Sequence, residues 1–331
     1  MTPELTVILP VHNSEQYLSE AIVSILNQTF EEFELLIIND GSKDKSGDII
    51  KSFTDSRIRV VNHKHNKGLV VSLNEAIAIS RGSYIARMDA DDISDPNRFA
   101  LQLQYLRENP SVDVVGSSVR VFGIDNYIWD LPLDPDSLDA HTLFRCSLAH
   151  PAIMMRKSTI GKLKLKYLKF HQDAEDFDLW SRLLAKGGRI GNIATPLLSY
   201  RTHDSQISHK NSRQVISTRS IYSWQLKNRL NIIASKRDLE MHHLIATLNI
   251  SKNARSLEKK RRWLANIIQA NNQTHAYKSD KLRDLCATYW MDNCYVSGLG
   301  PIKYIYLLKY PTTISAILMK VRSKIICLLK K

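Results

Sequence analysis

Two short apolar runs leave this chain few folds to choose from. Leu5-Thr6-Val7-Ile8-Leu9-Pro10 and Phe33-Glu34-Leu35-Leu36-Ile37-Ile38 are close to continuously hydrophobic. A strand with one wet face alternates in polarity, so runs like these predict strands buried on both faces, as in a parallel sheet. Each run stops in a polar turn: Val11-His12-Asn13 after the first and Asn39-Asp40-Gly41-Ser42 after the second. Leu18, Ala21, Ile22 and Ile25 then recur at helical spacing and predict a helix to about Asn27, with Asn13 and Gln16 spaced as a capping box. Ile58-Arg59-Val60-Val61 predicts a third strand that ends in Asn66-Lys67-Gly68, and Tyr84 to Met88 a fourth. Strands alternating with helices across short loops define an α/β fold with a mainly parallel sheet. The four polar turns then share one sheet edge, where open sheets bind ligands. Neither G-x-G-x-x-G nor G-x-x-x-x-G-K-[ST] occurs, which argues against a dinucleotide site or a P-loop.

The fourth strand runs into Met88-Asp89-Ala90-Asp91-Asp92. Three like charges at a strand end repel, and a hard divalent cation that bridges substrate phosphates is one way to neutralise them. An acidic turn is the other reading, with Asp95 capping a helix that Pro96 opens. A second acidic pair, Glu175-Asp176, precedes Leu179, Trp180, Leu183 and Leu184, which share a helical face, and Gly187 marks the stop. Carboxylates in a first helical turn complement the helix dipole. The same placement suits a general base held at a cleft. His203, in Tyr200-Arg201-Thr202-His203, is a structural histidine or a metal ligand. His150-Pro151 reads as a turn before a strand.

The charge is uneven. Residues 1–200 carry 22 Lys and Arg against 26 Asp and Glu, whereas residues 201–331 carry 24 against 7. A back half at +17 suggests an anionic partner, either nucleic acid or a membrane surface. That half reads as helices. Leu282, Leu285, Cys286, Tyr289 and Trp290 share a face behind a Ser279 cap, and Lys259-Lys260-Arg261-Arg262 reads as a solvated basic run. Ile314, Ile317, Leu318, Val321, Ile325, Leu328 and Leu329 form one apolar face flanked by Lys320, Arg322, Lys324, Lys330 and Lys331, the pattern of a helix lying in a headgroup region. No run of 18 apolar residues predicts a spanning helix. No signal peptide is legible, and the four cysteines show no ligand spacing, which fits a reducing compartment.

Taken together, the motifs resemble the inverting, nucleotide-sugar-dependent glycosyltransferases of family 2, which have the GT-A fold. The matching pieces, over about residues 4–210, are Pro10-Val11-His12-Asn13, Asn39-Asp40-Gly41-Ser42, Asn66-Lys67-Gly68 with Asn74, Asp89-Ala90-Asp91 as the D-x-D motif, Glu175-Asp176 and Tyr200-Arg201-Thr202-His203. Asn39 stands where the family usually has the first of two acids. The resemblance implies residues 1–210 as the catalytic domain and 211–331 as a basic helical region for membrane or acceptor contact. It implies a UDP-sugar donor, with Pro10, Val11, Asn13 and Asp40 around the nucleoside, Lys67 in the donor site and Asp89 at the ribose. Asp91 and His203 would hold Mn2+ or Mg2+. Asp176 would be the general base and Glu175 its support. Such enzymes build O-antigen or capsule units on a polyprenyl-diphosphate-linked saccharide, peripherally bound at the cytoplasmic face of the bacterial inner membrane.

Two other classes fit less well. A nucleotidyltransferase also uses a sheet-edge Asp site, but its Gly-rich basic first loop is not matched by residues 10–14. A nucleic-acid-binding protein has the basic back half in its favour and is disfavoured by the lack of a stacking platform or zinc motif.

Overall fold

A computed structural model of the protein describes residues 2–171, 173–204, 212–249 and 254–297. The first half alternates as the apolar runs require: β1 (Leu5–Val11), α1 (Leu18–Leu26), β2 (Phe33–Asn39), α2 (Ser46–Ser52), β3 (Ile58–Asn62), α3 (Leu69–Ile79), β4 (Tyr84–Arg87). Next come β5 (Ile93–Ser94), α4 (Arg98–Glu108), β6 (Val114–Gly123), β7 (Tyr127–Trp129) and α5 (Pro135–Thr142). A short turn of helix at His150–Ala152 leads into β8 (Met154–Arg156), α6 (Lys157–Lys162), α7 (Glu175–Ala185) and β9 (Ile190–Thr202).

β1 and β2 are buried at every position, and their side chains divide between two cores. Leu5, Val7, Leu9, Leu35 and Ile37 pack with α1 and α4 on one face. Ile8, Leu36 and Ile38 pack with Val70 and Leu73 of α3 and Leu179, Trp180 and Leu183 of α7 on the other. The twofold alternation of strand side chains thus explains why both runs are almost wholly apolar, and their two polar residues pair with each other, Thr6 Oγ1 donating to Glu34 Oε1.

The sheet order is β3-β2-β1-β4-β8-β6-β9-β5, with β7 on β6. The expectation of a mainly parallel sheet is corrected here. β1, β2, β3 and β4 pair in parallel, as do β6 and β9, but β4–β8, β6–β8, β6–β7 and β5–β9 are antiparallel. The parallel part is the stretch with helical crossovers. Beyond β4 the connections change, and β8 enters the sheet reversed.

Four local expectations also change. Asn13 does not cap α1; it lies at φ 51, and its Oδ1 accepts from Lys43 N at 2.9 Å. Pro96 does not open α4, which begins at Arg98 with Asn97 as its cap position, and Asp95 Oδ1 accepts from Asn97 N in the turn before it. Lys260 is not on a solvated face. It is 1% exposed, with Nζ donating to Asn249 O and Asn293 Oδ1. Ser279 is the first residue of its helix rather than the cap.

The chain divides into two units. The first takes Met1–Leu138 and Cys146–Ser217; the second takes Asp139–Arg145 and the described residues from Thr218 onward. The second is helical, with most of α8 (Ser212–Leu230), then α9 (Lys236–Ala246), α10 (Ala254–Thr274) and α11 (Ser279–Tyr295). Its short donated segment is bonded throughout. Arg229 grips Asp139 with both terminal nitrogens, Gln225 donates to Thr142 O, and Tyr222 donates to Phe144 O. His242 lies 2.9 Å from Leu143 O and stacks on Phe144. Among the described residues no helix is long and apolar enough to cross a membrane. The apolar face of 314–329 lies outside the described residues.

Candidate active site

The polar turns after β1, β2 and β3 are tied to one another at the carboxyl edge of the sheet. Asp40 is 3% exposed. Its Oδ1 lies 2.6 Å from His63 Nδ1 and accepts from Lys67 N at 2.8 Å, while Oδ2 accepts from Gly68 N at 2.8 Å. Burial pushes its carboxyl up, but the hydrogen bonds from His63, Lys67 and Gly68 outweigh that and hold it below the usual range. His63 also reaches Glu75, 2.9 Å away. Gly41 has φ +68, and a Cβ there would stand 2.5 Å from the His65 carbonyl carbon, so only glycine lets the two loops approach. Pro10 and Val11 are buried, and Asn13 donates its backbone N–H to Ser42 Oγ. Thus Pro10, Val11, Asn13, Asp40 and Lys67 sit in one connected loop cluster. Asp40 braces that cluster through both oxygens.

The acidic run is positioned by β5. That two-residue strand pairs antiparallel with β9, Ile93 opposite Ser199 and Ser94 opposite Leu198. The pairing carries the end of β9 back to the acids. His203 Nε2 lies 3.0 Å from Asp91 Oδ2, and Arg201 donates its backbone N–H to Asp92 Oδ1 and its Nε to Asp91 O. The Arg201 guanidinium stacks between Tyr17 and Phe122 and pairs with Glu20. One ligand oxygen from each of Asp89, Asp91 and Asp92 lies within 4.8 Å of the others. Arg87, 3% exposed, forks onto both oxygens of Asp89. Arg98, fully buried behind it, donates to the carbonyls of Arg87 and Ile153.

This donor set fits a divalent cation. Asp92 Oδ2 is buried with no hydrogen-bond partner, an orphaned acceptor in the middle of an all-carboxylate group with an imidazole at its rim. Burial and the neighbouring Asp charges raise the Asp92 carboxyl well above its ordinary range. A cation there would relieve both penalties.

Glu175 and Asp176 occupy the first turn of α7, after Asp173 at φ 69 turns the chain into the helix. Asp176 Oδ1 accepts from Phe177 N at 2.7 Å, and Cys146 Sγ lies 3.4 Å from Oδ2. Burial raises the Asp176 carboxyl, against the pull of Phe177 N–H, Cys146 and the Arg87 charge. Glu175, 8% exposed, is pushed up to about 7 by burial and then by the Asp176 charge. Arg87 therefore acts electrostatically on both acidic groups, Asp89 and Asp92 on one side and Glu175 and Asp176 on the other. His150 is the predicted turn, buried and 2.8 Å from Tyr167 Oη. Sequence reasoning passed over Arg87, His63 and Cys146, and named Arg201 only as part of the motif that ends in His203. Arg87 carried a signal, since a cation flanking a strand-end acid cluster needs a partner.

A cluster of polar loops at the sheet edge, an acidic cluster with a nearby histidine and a buried helix-start acid fit a GT-A-like glycosyltransferase. The chain belongs to glycosyl transferase family 2, whose pattern matches residues 6–161. It is an enzyme that moves a sugar from a nucleotide-sugar donor to an acceptor. It is 33% identical over 207 residues to the O-antigen biosynthesis glycosyltransferase WbnJ of Escherichia coli, covering 60% of this chain and 80% of that one. It is 25% identical over 213 residues to the UDP-Glc:alpha-D-GlcNAc-diphosphoundecaprenol beta-1,3-glucosyltransferase WfaP of Escherichia coli, covering 64% and 82%. The fold is shared with S. aureus TarS 1-349 in complex with UDP-GlcNAc, at TM-score 0.61 and 15% identity over 88% of this chain and 90% of that one. It is also shared with the mannosyltransferase PcManGT of Pyrobaculum calidifontis in complex with GDP-Man and Mn2+, at TM-score 0.51 and 15% identity over 98% and 88%.

Proposed function

We propose that the protein is an inverting hexosyltransferase that moves glucose or galactose from a UDP-sugar to a saccharide on a polyprenyl diphosphate. The acceptor favoured is GlcNAc-diphospho-undecaprenol and the product linkage β-1,3, in O-antigen or capsule unit assembly. The observation that carries the reading is the electrostatic pairing of two acidic groups around Arg87: the Asp89, Asp91, Asp92 cluster with His203, and Asp176 at the head of α7. The choice of sugars leans on the likeness to WfaP.

In this reading Asp176 takes the proton from the acceptor hydroxyl as its oxygen bonds to the anomeric carbon. The bond from that carbon to the phosphate oxygen breaks, and its electron pair leaves with UDP. A single displacement inverts the anomer, so an α-linked donor yields a β-linkage. Glu175 supports Asp176. Asp91 and His203, with Asp92 beside them, would hold Mn2+ or Mg2+, which when bound neutralises charge developing on the diphosphate. Pro10, Val11 and Asn13 line the nucleoside, Lys67 lies in the donor site, Asp89 faces the ribose and Asp40 reads the base while bracing its loop.

The basic residues 211–331 serve as the membrane and acceptor region, holding the enzyme peripherally at the cytoplasmic face of the bacterial inner membrane. Support comes from the +17 balance of that half and the apolar, lysine-flanked pattern of 314–331. Calorimetric binding of UDP, GDP and CDP with and without Mn2+ tests the donor class. Metal-dependent binding of UDP alone is expected. Binding of GDP in its place would move the donor to a GDP-sugar and refute the UDP assignment.

A further inference from the structure

The Cys146 thiol stands between two acceptors. Its Sγ is 3.4 Å from Asp176 Oδ2 and 3.4 Å from the Leu148 carbonyl oxygen. A thiol carries one hydrogen, and its sulfur accepts weakly, so it donates to one of these groups at a time. An ionised carboxylate is the stronger acceptor and takes the hydrogen while Asp176 is charged. Once Asp176 has gained a proton, its O–H is itself a donor. The thiol hydrogen then turns to Leu148 O, and the sulfur receives the acid's hydrogen. Phe177 N–H, 2.7 Å from the other carboxylate oxygen, anchors the group on its far side.

The weakness of the thiol suits this place. A charged donor on Oδ2 would fix the carboxylate but stabilise its ionised form and blunt it as a base. A thiol holds the geometry at little cost in basicity. We infer that Cys146 is a positioning residue for Asp176, a two-way hydrogen-bond partner that keeps the carboxyl in one place before and after proton uptake. The inference rests on the assignment of Asp176 as the base.

Infrared spectroscopy of the full chain tests the bond directly, because the S–H stretch falls in a window free of other protein bands. The difference between the wild type and Cys146→Ser isolates the Cys146 band. That band is expected to rise in frequency in Asp176→Asn, whose neutral amide oxygen accepts more weakly, with the other cysteines unchanged. A band that stays in place overturns the inference. Kinetics with the UDP-sugar that the wild type turns over tests the consequence. Cys146→Ser, which keeps a donor and an acceptor, should hold kcat within about threefold, whereas Cys146→Ala and Cys146→Val should each lose about tenfold in kcat at unchanged donor KM. Melting curves of the three variants separate this from loss of fold. Equal rates in Ser, Ala and Val overturn the inference. Transfer persisting in Asp176→Asn would instead remove the base assignment, and a shifted infrared band would then describe a contact without a catalytic role.

Discussion

Nε2 of His203 lies 3.0 Å from Oδ2 of Asp91, two residues separated by 112 positions in the chain. The two-residue strand β5 makes that meeting possible, because its pairing with β9 sets the end of one against the start of the other. If the pair shares a cation, each half should matter only when metal is present. Asp91→Ala and His203→Ala are expected to weaken UDP binding at least tenfold in Mn2+ and to leave the weak metal-free binding unchanged. Calorimetry with and without Mn2+ reads this. Equal losses in both conditions would remove the metal role.

Asp176→Asn keeps the shape of the side chain and removes its basicity. Transfer should fall to background while UDP binding stays within a few-fold of the wild type. Product formation and UDP titration on one preparation give the answer. A variant that retains substantial transfer would refute the assignment.

Arg87 is the counter-ion of a buried acidic neighbourhood, so its loss should be felt as instability. Removing one partner of such a pair leaves an uncompensated charge and costs about 3 kcal/mol. Arg87→Met is therefore expected to melt well below the wild type, and Mn2+ should recover part of the loss by taking over the neutralisation. Melting curves with and without Mn2+ check both parts. A variant as stable as the wild type would show that Asp89 finds its compensation elsewhere.

Glu175 makes stability depend on pH. Its carboxyl is raised in the fold from 4.5 to about 7, so ionising it disfavours the folded state. Below the lower value both states are protonated and the residue costs nothing. The cost grows between the two and is complete above about 7, where it is on the order of 3 kcal/mol. Glu175→Gln should therefore stabilise the protein at pH 8 and be close to neutral at pH 4.5. Denaturant unfolding at the two values tests the sign.

The basic end of the chain gives the last prediction. Truncation after Tyr310 should release the protein from anionic liposomes and leave UDP binding intact. Co-sedimentation with phosphatidylglycerol vesicles measures it, and unchanged binding would refute the assignment of residues 311–331 to the membrane.

Much of the first half was legible because it is local. Val7 to Leu9 and Leu35 to Ile38 announce strands buried on both faces, and each turn carries its own polar residues. The pairing of Asp91 with His203 was within reach only through the family likeness, since no local pattern brings β9 to β5. The antiparallel part of the sheet was hidden for a related reason. β5 and β8 are two and three residues long, too short to carry a period, and their direction is set by tertiary pairing. Lys260 was misread because its partners, Asn249 and Asn293, come from distant stretches, and a basic run gives no sign of which member turns inward.

The excursion of Asp139–Arg145 into the helical unit has a practical meaning for anyone recombining such enzymes. A splice made once, after the last strand, would graft a foreign helical half onto a catalytic half still carrying a loop evolved for its old companion. Asp139 would lose Arg229, and the carbonyls of Thr142, Leu143 and Phe144 would lose their donors. Exchanging the helical unit between relatives therefore calls for three crossovers, and the seven-residue insert must travel with the helices.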